Sequence, residues 1–543
     1  MDIKSIKTKP YLDQKPGTSG LRKKVSVYKQ DHYLENYIQS IFDSLKGFEG
    51  KTLVVGGDGR FFNKEAIQVV IKMAIANQFG TIMVGQNGIL STPAVSYLIR
   101  KYEAFGGLIL TASHNPGGPD GDFGVKFNTA NGGAALEGLT DAFFKRTQVI
   151  DHYWMVDIPD VDLSEIGEKE IGGVKIQIID SVQDYAEYMQ EIFDFKAIQR
   201  LFKNGFKMRF DAMNGVTGPY AHRIFEQILG ADFGTVVHGT PLPDFGGLHP
   251  EPNLVHAKHL VDMMYSSDAL DFAAASDGDG DRYLILGKNF FLNPSDSLAV
   301  MAQYIDQIPF YQDKVYGIAR SMPTSYAADF VAKDKNYPLY ETPTGWKFFG
   351  TLLEADKATI CGEESFGASS LHIREKDGIW AVLFWLNILA LTGKNVSELT
   401  HELWKKYGRV YTSLHNYEEL DSDTANTLIN DLKMRLPDLK NQQFKNYQIK
   451  SAEVFNYTDI VTGEVSPNQG IQIYFTDGSR IVTRLSGTGS TGATLRVYFN
   501  RLITDTSKLD LDVQFVLKDL IEVAGEILKI KEYTGRDYPT VIT

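Results

Sequence analysis

Three stretches of this 543-residue chain share one plan, and that plan constrains the fold more than any single motif. Each opens on a short apolar strand ending in small residues: Thr52-Leu-Val-Val55, Lys207-Met-Arg-Phe210 and Val315-Tyr-Gly-Ile318. Each continues through a helical pattern, such as Lys64 to Asn77 with apolar residues at Ile67, Val70, Ile71 and Ala74. Each then reaches a second strand that delivers a polar loop. Gly107–Leu110 leads into Thr111-Ala-Ser-His-Asn-Pro-Gly117, Asp271–Ala275 into Ser276-Asp-Gly-Asp-Gly-Asp-Arg282, and Ala358–Cys361 into Gly362-Glu-Glu-Ser-Phe-Gly367. The repeat lies in the order of elements, not in residue identity. Strands alternating with helices predict α/β layers whose functional loops emerge at strand ends. The last part differs. Ile471–Phe475 and Asp477–Val482 are separated by an Asp-Gly hairpin signal, and a helical pattern covers Val513–Ile530. The expected fold is α/β, with three similar α/β layered domains and a smaller α+β C-terminal domain around a central cleft. At roughly 150 residues per domain, the length suits three or four domains.

The delivered loops carry the chemistry. Ser113, leaving an apolar strand, is a candidate nucleophile or phosphate carrier, with His114 beside it in sequence. A plain turn serine near Asn115-Pro116 is the alternative, and no G-x-S-x-G elbow marks a serine hydrolase. Asp277, Asp279 and Asp281 alternate with glycines, so a tight turn can aim their oxygens at one hard cation, Mg²⁺ or Ca²⁺. A calcium-binding helix-loop-helix fails on spacing, because its glycine and glutamate positions fall on Arg282 and Lys288. Otherwise the triplet is a solvated acidic turn. Glu363 and Ser365 could accept from and donate to vicinal sugar hydroxyls, or Glu363-Glu364 is a pair of surface acids. Arg484, Ser486, Thr488 and Arg496 surround a Gly-rich turn that suits an anion, though a simple hairpin reads the same way. The turn Gly56-Gly-Asp-Gly59 lacks a dinucleotide fingerprint and reads as a strand-end turn.

These loops, with Pro16–Arg22, Glu341–Trp346, His372–Gly378 and the terminal Pro-Thr-Val-Ile-Thr543, occur in one order. The chain thereby resembles the phosphoglucomutase family of the α-D-phosphohexomutase superfamily along essentially its whole length. The resemblance implies that Ser113 is a phosphoserine. It implies Mg²⁺ held by Ser113, Asp277, Asp279 and Asp281, with Arg282 close to the same phosphate. Glu363 and Ser365 match the sugar-binding loop, supported by Thr344 and Gly345. Arg22 joins the substrate-binding set, and Arg484, Ser486, Thr488 and Arg496 match the cradle for the phosphate not being transferred. Lys376 matches a position near the reacting group, and whether it or His114 moves the proton stays open. The implied division is 1–185 with the phosphoserine loop, 186–298 with the metal loop, 299–405 with the sugar loop and 406–543 with the phosphate loop. The implied reaction interconverts glucose 1-phosphate and glucose 6-phosphate through glucose 1,6-bisphosphate, which serves as intermediate and activator. Mutases for mannose or N-acetylglucosamine phosphates, and a non-catalytic binding relative, are the alternatives.

Composition narrows the rest. A net charge of −13 argues against a nucleic-acid binder, and it requires local cations to draw a phosphorylated substrate. The lone Cys361 forms no internal disulfide, and the start Met1–Lys9 lacks a signal-like apolar stretch. The most apolar run, Ile379–Leu391, falls short of the ~20 residues of a membrane span and reads as a buried helix. The expectation is a cytoplasmic protein without a membrane span, acting on small hexose phosphates.

Overall fold

The computed structural model describes residues 2–489 and 492–543, with side chains for all of these except 487–489. The described residues form two compact units. One comprises residues 2–319, 337–340 and 345–397; the other comprises 320–336, 341–344, 398–489 and 492–543.

Among the described residues the first unit holds three larger sheets and a two-stranded one that pairs Ile3–Lys7 with His152–Val156. The first contains β1 (Leu21–Lys24), β2 (Thr52–Gly57), β3 (Thr81–Ile89), β4 (Gly106–Leu110), β5 (Asp122–Thr129), β6 (Gly167–Ile171) and β7 (Val174–Ile179), ordered β1-β5-β4-β2-β3-β7-β6. Its centre is parallel, with β2 flanked by β3 and β4. Strands covered on both faces need continuous apolar runs, and Leu53, Val54, Val55, Leu108, Ile109 and Leu110 are all fully buried. Helix α1 (Asn63–Ala76) follows β2, with Ile67, Val70, Ile71 and Ala74 in the core as the periodicity predicts. Helix α2 (Thr92–Lys101) is capped by Ser91, whose hydroxyl accepts the Ala94 N–H.

The second sheet repeats the plan. It uses β8 (Met208–Asp211), β9 (Val236–Val237), β10 (Phe272–Ser276), β11 (Tyr283–Gly287) and β12 (Phe290–Phe291), ordered β9-β8-β10-β11-β12. Helix α3 (Lys258–Met264) packs on it through Leu260 and Met264. The third contains β13 (Ile318–Ser321), β14 (Leu339–Thr342), β15 (Ile360–Glu363) and β16 (Gly367–Ser370), ordered β14-β13-β15-β16; β13 and β14 enter this unit with their first two residues.

One strand lies further along than expected. The pattern Val315–Ile318 predicts a strand, but β13 starts at Ile318. The Tyr316 N–H is taken by the Thr359 hydroxyl at 2.7 Å, and the Gly317 carbonyl accepts from Thr359, so ladder pairing begins only beyond them. The apolar run is helix α4 (Gly378–Thr392), buried almost throughout and capped by Asp377. Among the described residues no single helix is long and apolar enough to cross a membrane.

The second unit is built on β17 (Arg409–Leu420), β18 (Gln443–Phe444), β19 (Tyr447–Val454), β20 (Ile471–Phe475), β21 (Arg480–Gly489), β22 (Gly492–Ile503) and β23 (Val541–Ile542), ordered β18-β19-β20-β21-β22-β17-β23. The Asp-Gly hairpin pairs β20 with β21, Ile473 opposite Ile481. Helix α5 (Ser422–Leu439) and helix α6 (Val513–Leu528) cover one face of this sheet through Leu428, Leu432, Leu517 and Leu520. Helix α6 stops at Leu528, two residues before the expected end, because Lys529 turns left-handed at φ 54°, and a short separate helix covers Ile530–Thr534.

Candidate active site

The site is assembled around Ser113, three residues beyond the apolar strand β4. Its backbone is left-handed at φ 53°, a conformation that costs a non-glycine residue roughly 1–3 kcal/mol. Neighbouring polar groups hold it there. The Ser113 N–H donates to the Thr111 hydroxyl at 2.8 Å, and Thr111 donates to Asp58 at 2.6 Å. Arg60 donates to the Ser113 carbonyl at 2.6 Å while its Nε binds the Asp58 carboxylate. Asp58 and Arg60 are fully buried, and each satisfies the other's charge. The turn after β2 therefore fixes the serine's orientation, a role its glycine-rich sequence does not announce. The serine itself is 2% exposed.

The Ser113 hydroxyl donates to Asp277 Oδ2 at 2.9 Å, 164 residues away. Asp277, Asp279 and Asp281 leave β10 on a turn that needs the left-handed Gly280, and one oxygen from each lies within 4.8 Å of the others. All three carboxylates are buried. The second Asp277 oxygen accepts the Asp281 and Arg282 N–H groups, and the Thr92 hydroxyl at the start of α2 donates to Asp279 at 2.6 Å. Asp279 Oδ1 and Asp281 Oδ1 are buried without any hydrogen-bond donor. Burial, reinforced by Asp279 and Asp281, pushes the Asp277 carboxyl well above the usual range. Burial also pushes Asp281 up, but Lys376, Arg282 and Lys126 outweigh it and hold that carboxyl low. Three converging carboxylates, two of them with a buried oxygen that no donor reaches, fit a hard divalent cation with oxygen ligands.

Cations and sugar-type hydrogen bonders surround this centre. Lys376 Nζ is 3.2 Å from Asp281. Its stem runs over Gly367, where a Cβ would come within 2.4 Å of Lys376 Cδ. Arg282 bridges to Gly367 through the backbone, so the aspartate turn and the Glu363 loop are tied together. Glu363 ends β15; it accepts the Gly345 N–H at 3.1 Å, and Ser365 lies 3.5 Å from its other oxygen. Burial raises the Glu363 carboxyl, with Lys376 opposing. His114 Nδ1 is 3.4 Å from the Ser113 hydroxyl. Burial, then Arg282, Arg22 and Lys376, hold the His114 imidazole well below its ordinary value, so it is neutral. Those three cations answer the problem set by the net charge of −13 by placing fixed positive charge beside Ser113 in an acidic chain. Arg22, on β1, is half-buried, with its Nε buried and unpartnered.

In the second unit Arg484 and Arg496 face each other as cross-strand partners on β21 and β22, and Arg496 Nε donates to Ser486 at 2.8 Å. Among the described residues neither arginine pairs with a carboxylate. Like charges opposite one another destabilise a ladder unless an anion lies between them. The Thr344 hydroxyl, also in this unit, is buried without a partner. Thr488 lies outside the residues with described side chains.

Sequence reasoning missed Asp58, Arg60, Thr111 and Thr92. The only available signal was an aspartate and an arginine two residues apart in a turn that directly follows a buried strand.

Comparison with known proteins agrees with this geometry. The models for the α/β/α domains I, II and III of phosphoglucomutase/phosphomannomutase match residues 13–153, 183–289 and 293–407. The model for the phosphoglucomutase-1 C-terminal domain matches 409–540. A phosphoglucomutase of Rhizobium radiobacter is 56% identical over 541 residues, covering all of both chains. Human phosphoglucomutase-1 is 50% identical over 560 residues, again covering both chains fully. The crystal structure of parafusin, an exocytosis-sensitive phosphoprotein and phosphoglucomutase from Paramecium, superimposes with a TM-score of 0.93. It has 44% identity and covers 100% of this chain and 99% of its own. The chain belongs to the phosphoglucomutase/phosphomannomutase family of isomerases.

Proposed function

We propose that this chain interconverts glucose 1-phosphate and glucose 6-phosphate by phosphoryl transfer through Ser113. The observation that carries the proposal is a buried serine, held left-handed by Thr111, Arg60 and Asp58, with its hydroxyl 2.9 Å from one of three converging aspartates, two of which keep a buried oxygen without a donor. In the working state Ser113 carries a phosphoryl group. The P–Oγ bond breaks as a P–O bond forms to the free hydroxyl of a bound hexose monophosphate. The displaced sugar proton ends on Ser113 Oγ, and the product is the 1,6-bisphosphate. After the bisphosphate turns over, the reverse transfer from its other end restores phosphoserine. Two groups are candidates for the proton. Neutral His114 lies 3.4 Å from Oγ, while Lys376 is engaged by Asp281; the geometry favours His114.

Asp277, Asp279, Asp281 and the oxygen on Ser113 would hold Mg²⁺. When bound, that ion neutralises charge on the phosphoryl oxygens. Arg22, Arg282 and Lys376 add fixed positive charge, and the buried Glu363 with Ser365 offers hydrogen bonds to sugar hydroxyls. Gly345 and Thr344 support that loop. Arg484, Arg496, Ser486 and Thr488 would hold the phosphate not in transfer. A cytoplasmic setting belongs to the same proposal, on the lone buried thiol of Cys361.

The test is an assay of glucose, mannose and N-acetylglucosamine 1-phosphates with and without Mg²⁺, combined with mapping of the phosphorylated residue. Glucose 1-phosphate should be preferred, with phosphate on Ser113. Preference for mannose phosphate would move the substrate assignment while keeping the mechanism. Turnover with no phosphoserine at 113 would overturn the mechanism.

A further inference from the structure

On the second sheet, apart from the aspartate turn, three potential ligands converge from three different elements. Asp211 ends β8, His238 follows β9 and His259 lies on α3. One ligand atom from each lies within 4.8 Å of the others. His238 Nδ1 is 2.9 Å from Asp211 Oδ1, and His259 Nε2 is 2.6 Å from Asp211 Oδ2. The two rings stand nearly perpendicular, 85° apart with centroids separated by 5.4 Å. Asp211 is completely buried, whereas the imidazoles are 40% and 46% exposed, so the cluster is anchored from inside and open to solvent outside.

The bonding of Asp211 points to a missing ligand. Its Oδ1 is oriented by the Met213 N–H at 2.8 Å. Its Oδ2 is buried and accepts no hydrogen bond, although His259 Nε2 stands 2.6 Å from it. A carboxylate and an imidazole that approach without a directed hydrogen bond are arranged as two ligands to a third body. Three ligands on a tetrahedral ion with bonds of about 2.0–2.2 Å stand about 3.4 Å apart, which needs only a slight outward swing of two exposed rings.

We infer that Asp211, His238 and His259 form a binding site for a divalent transition ion such as Zn²⁺, separate from the aspartate site. Two imidazole nitrogens and one carboxylate leave a coordination position for water, and nitrogen ligands select against Mg²⁺ and Ca²⁺. The ion would cross-link β8, β9 and α3. The chain leaving Asp211 runs directly to Val216, whose N–H donates to the Gly278 carbonyl at 3.0 Å, so the site abuts the back of the aspartate turn.

Co²⁺ is the probe, because its visible absorption reports nitrogen ligation and low coordination number. The full chain is titrated with Co²⁺ in saturating Mg²⁺, which keeps the aspartate site filled, and thermal unfolding is followed in parallel. The parent should bind one Co²⁺ with a visible absorption band and a raised Tm. His238→Asn and His259→Gln should each weaken that binding at least tenfold and abolish the Tm shift, with secondary structure and Mg²⁺-supported turnover retained. His249→Asn, in a different histidine cluster, should bind like the parent. Parent-like Co²⁺ binding in both His238→Asn and His259→Gln would overturn the inference. So would the absence of any Co²⁺ site once Mg²⁺ is saturating.

Discussion

The surroundings of Ser113 and the arginine pair of the second unit are built in opposite ways. Around Ser113 almost every polar atom has one assigned partner: N–H to Thr111, carbonyl to Arg60, hydroxyl to Asp277, and Asp58 behind both Thr111 and Arg60. The ensemble is buried and holds a strained backbone. Arg484 and Arg496, by contrast, are half-buried and oppose each other in a ladder, and among the described residues the pair's one side-chain hydrogen bond runs from Arg496 to Ser486. The difference matches two tasks in the proposed reaction. The phosphoryl carrier meets the same atoms at every transfer and gains from pre-organisation. A cradle that must take phosphate from either end of a sugar gains from charge that is present but not committed.

The largest effect should come from removing the carrier. Ser113→Ala should lower turnover at least about a thousandfold and abolish phosphate incorporation, with substrate binding and fold retained. An active Ser113→Ala would end the comparison, because the ordered region would then be scaffold only.

Asp279→Asn comes next. It keeps the acceptor of the Thr92 hydrogen bond but removes a charge from three converging carboxylates. Turnover should fall by about a hundredfold and half-maximal activity should need more Mg²⁺, since an ion held by carboxylates depends on their number and charge. Chelator treatment of the parent should silence it, and Mg²⁺ should restore it. An unchanged Mg²⁺ requirement in Asp279→Asn would return the triplet to a structural turn.

In the second unit, Arg496→Ala should cost about ten- to a hundredfold in kcat/KM, equivalent to the roughly 1.5–3 kcal/mol of a charge-assisted hydrogen bond. Arg496→Lys should recover only part, lacking the planar fork. Inorganic phosphate should compete with substrate in the parent and much less in Arg496→Ala. Equal phosphate inhibition in both would make the arginine pair a structural hairpin and sharpen the contrast into active against inert.

The same contrast explains what could be read from sequence. Ser113 and the Asp277–Asp281 triplet were legible because each is a short string leaving an apolar strand, and strand period and turn glycines are local signals. The α/β repeat was legible for the same reason. Asp58 and Arg60 were not: they act on Ser113 from over 50 residues away, and their turn reads as an ordinary strand end. Lys376 gave no local sign that its stem must cross Gly367. The strand at Val315–Ile318 was misaligned because a side chain, Thr359, takes the backbone group that would have opened the ladder. Long-range satisfaction of buried polar groups is decided in three dimensions, and a single sequence carries little trace of it.

Thr111→Val tests that hidden layer. It preserves shape but removes both the acceptor for the Ser113 N–H and the donor to buried Asp58. Turnover should fall by about tenfold, in line with the roughly 1.5 kcal/mol at the low end for a hydrogen bond to a charged group, with little change in KM or Mg²⁺ dependence. A change confined to KM would mean that Thr111 acts on binding and not on the carrier.

The smallest expected effect concerns a buried histidine outside the transfer chemistry. His372 stacks on Trp380 and bonds Ser370 and Asp377, which caps α4. Burial lowers its imidazole below the ordinary value of 6.5, with Asp377 opposing only in part. The sign follows from which state binds the proton. Above pH 6.5 both the folded and unfolded chains carry neutral His372, so its packing contributes fully. As pH falls below 6.5 the unfolded chain takes up a proton that the folded chain still refuses, and stability is lost down to the lower folded value. One such group contributes a slope of at most about 1.4 kcal/mol per pH unit. His372→Gln should be less stable than the parent at pH 7.5, because buried hydrogen bonds are lost, but its stability should fall less steeply between pH 6.5 and 5.5. Denaturant unfolding of both proteins at several pH values reads that difference in slope. Parallel pH profiles would assign the acid sensitivity of the first unit to other groups, His114 being the next candidate, and would show that its ordered polar network tolerates a charged imidazole beside α4.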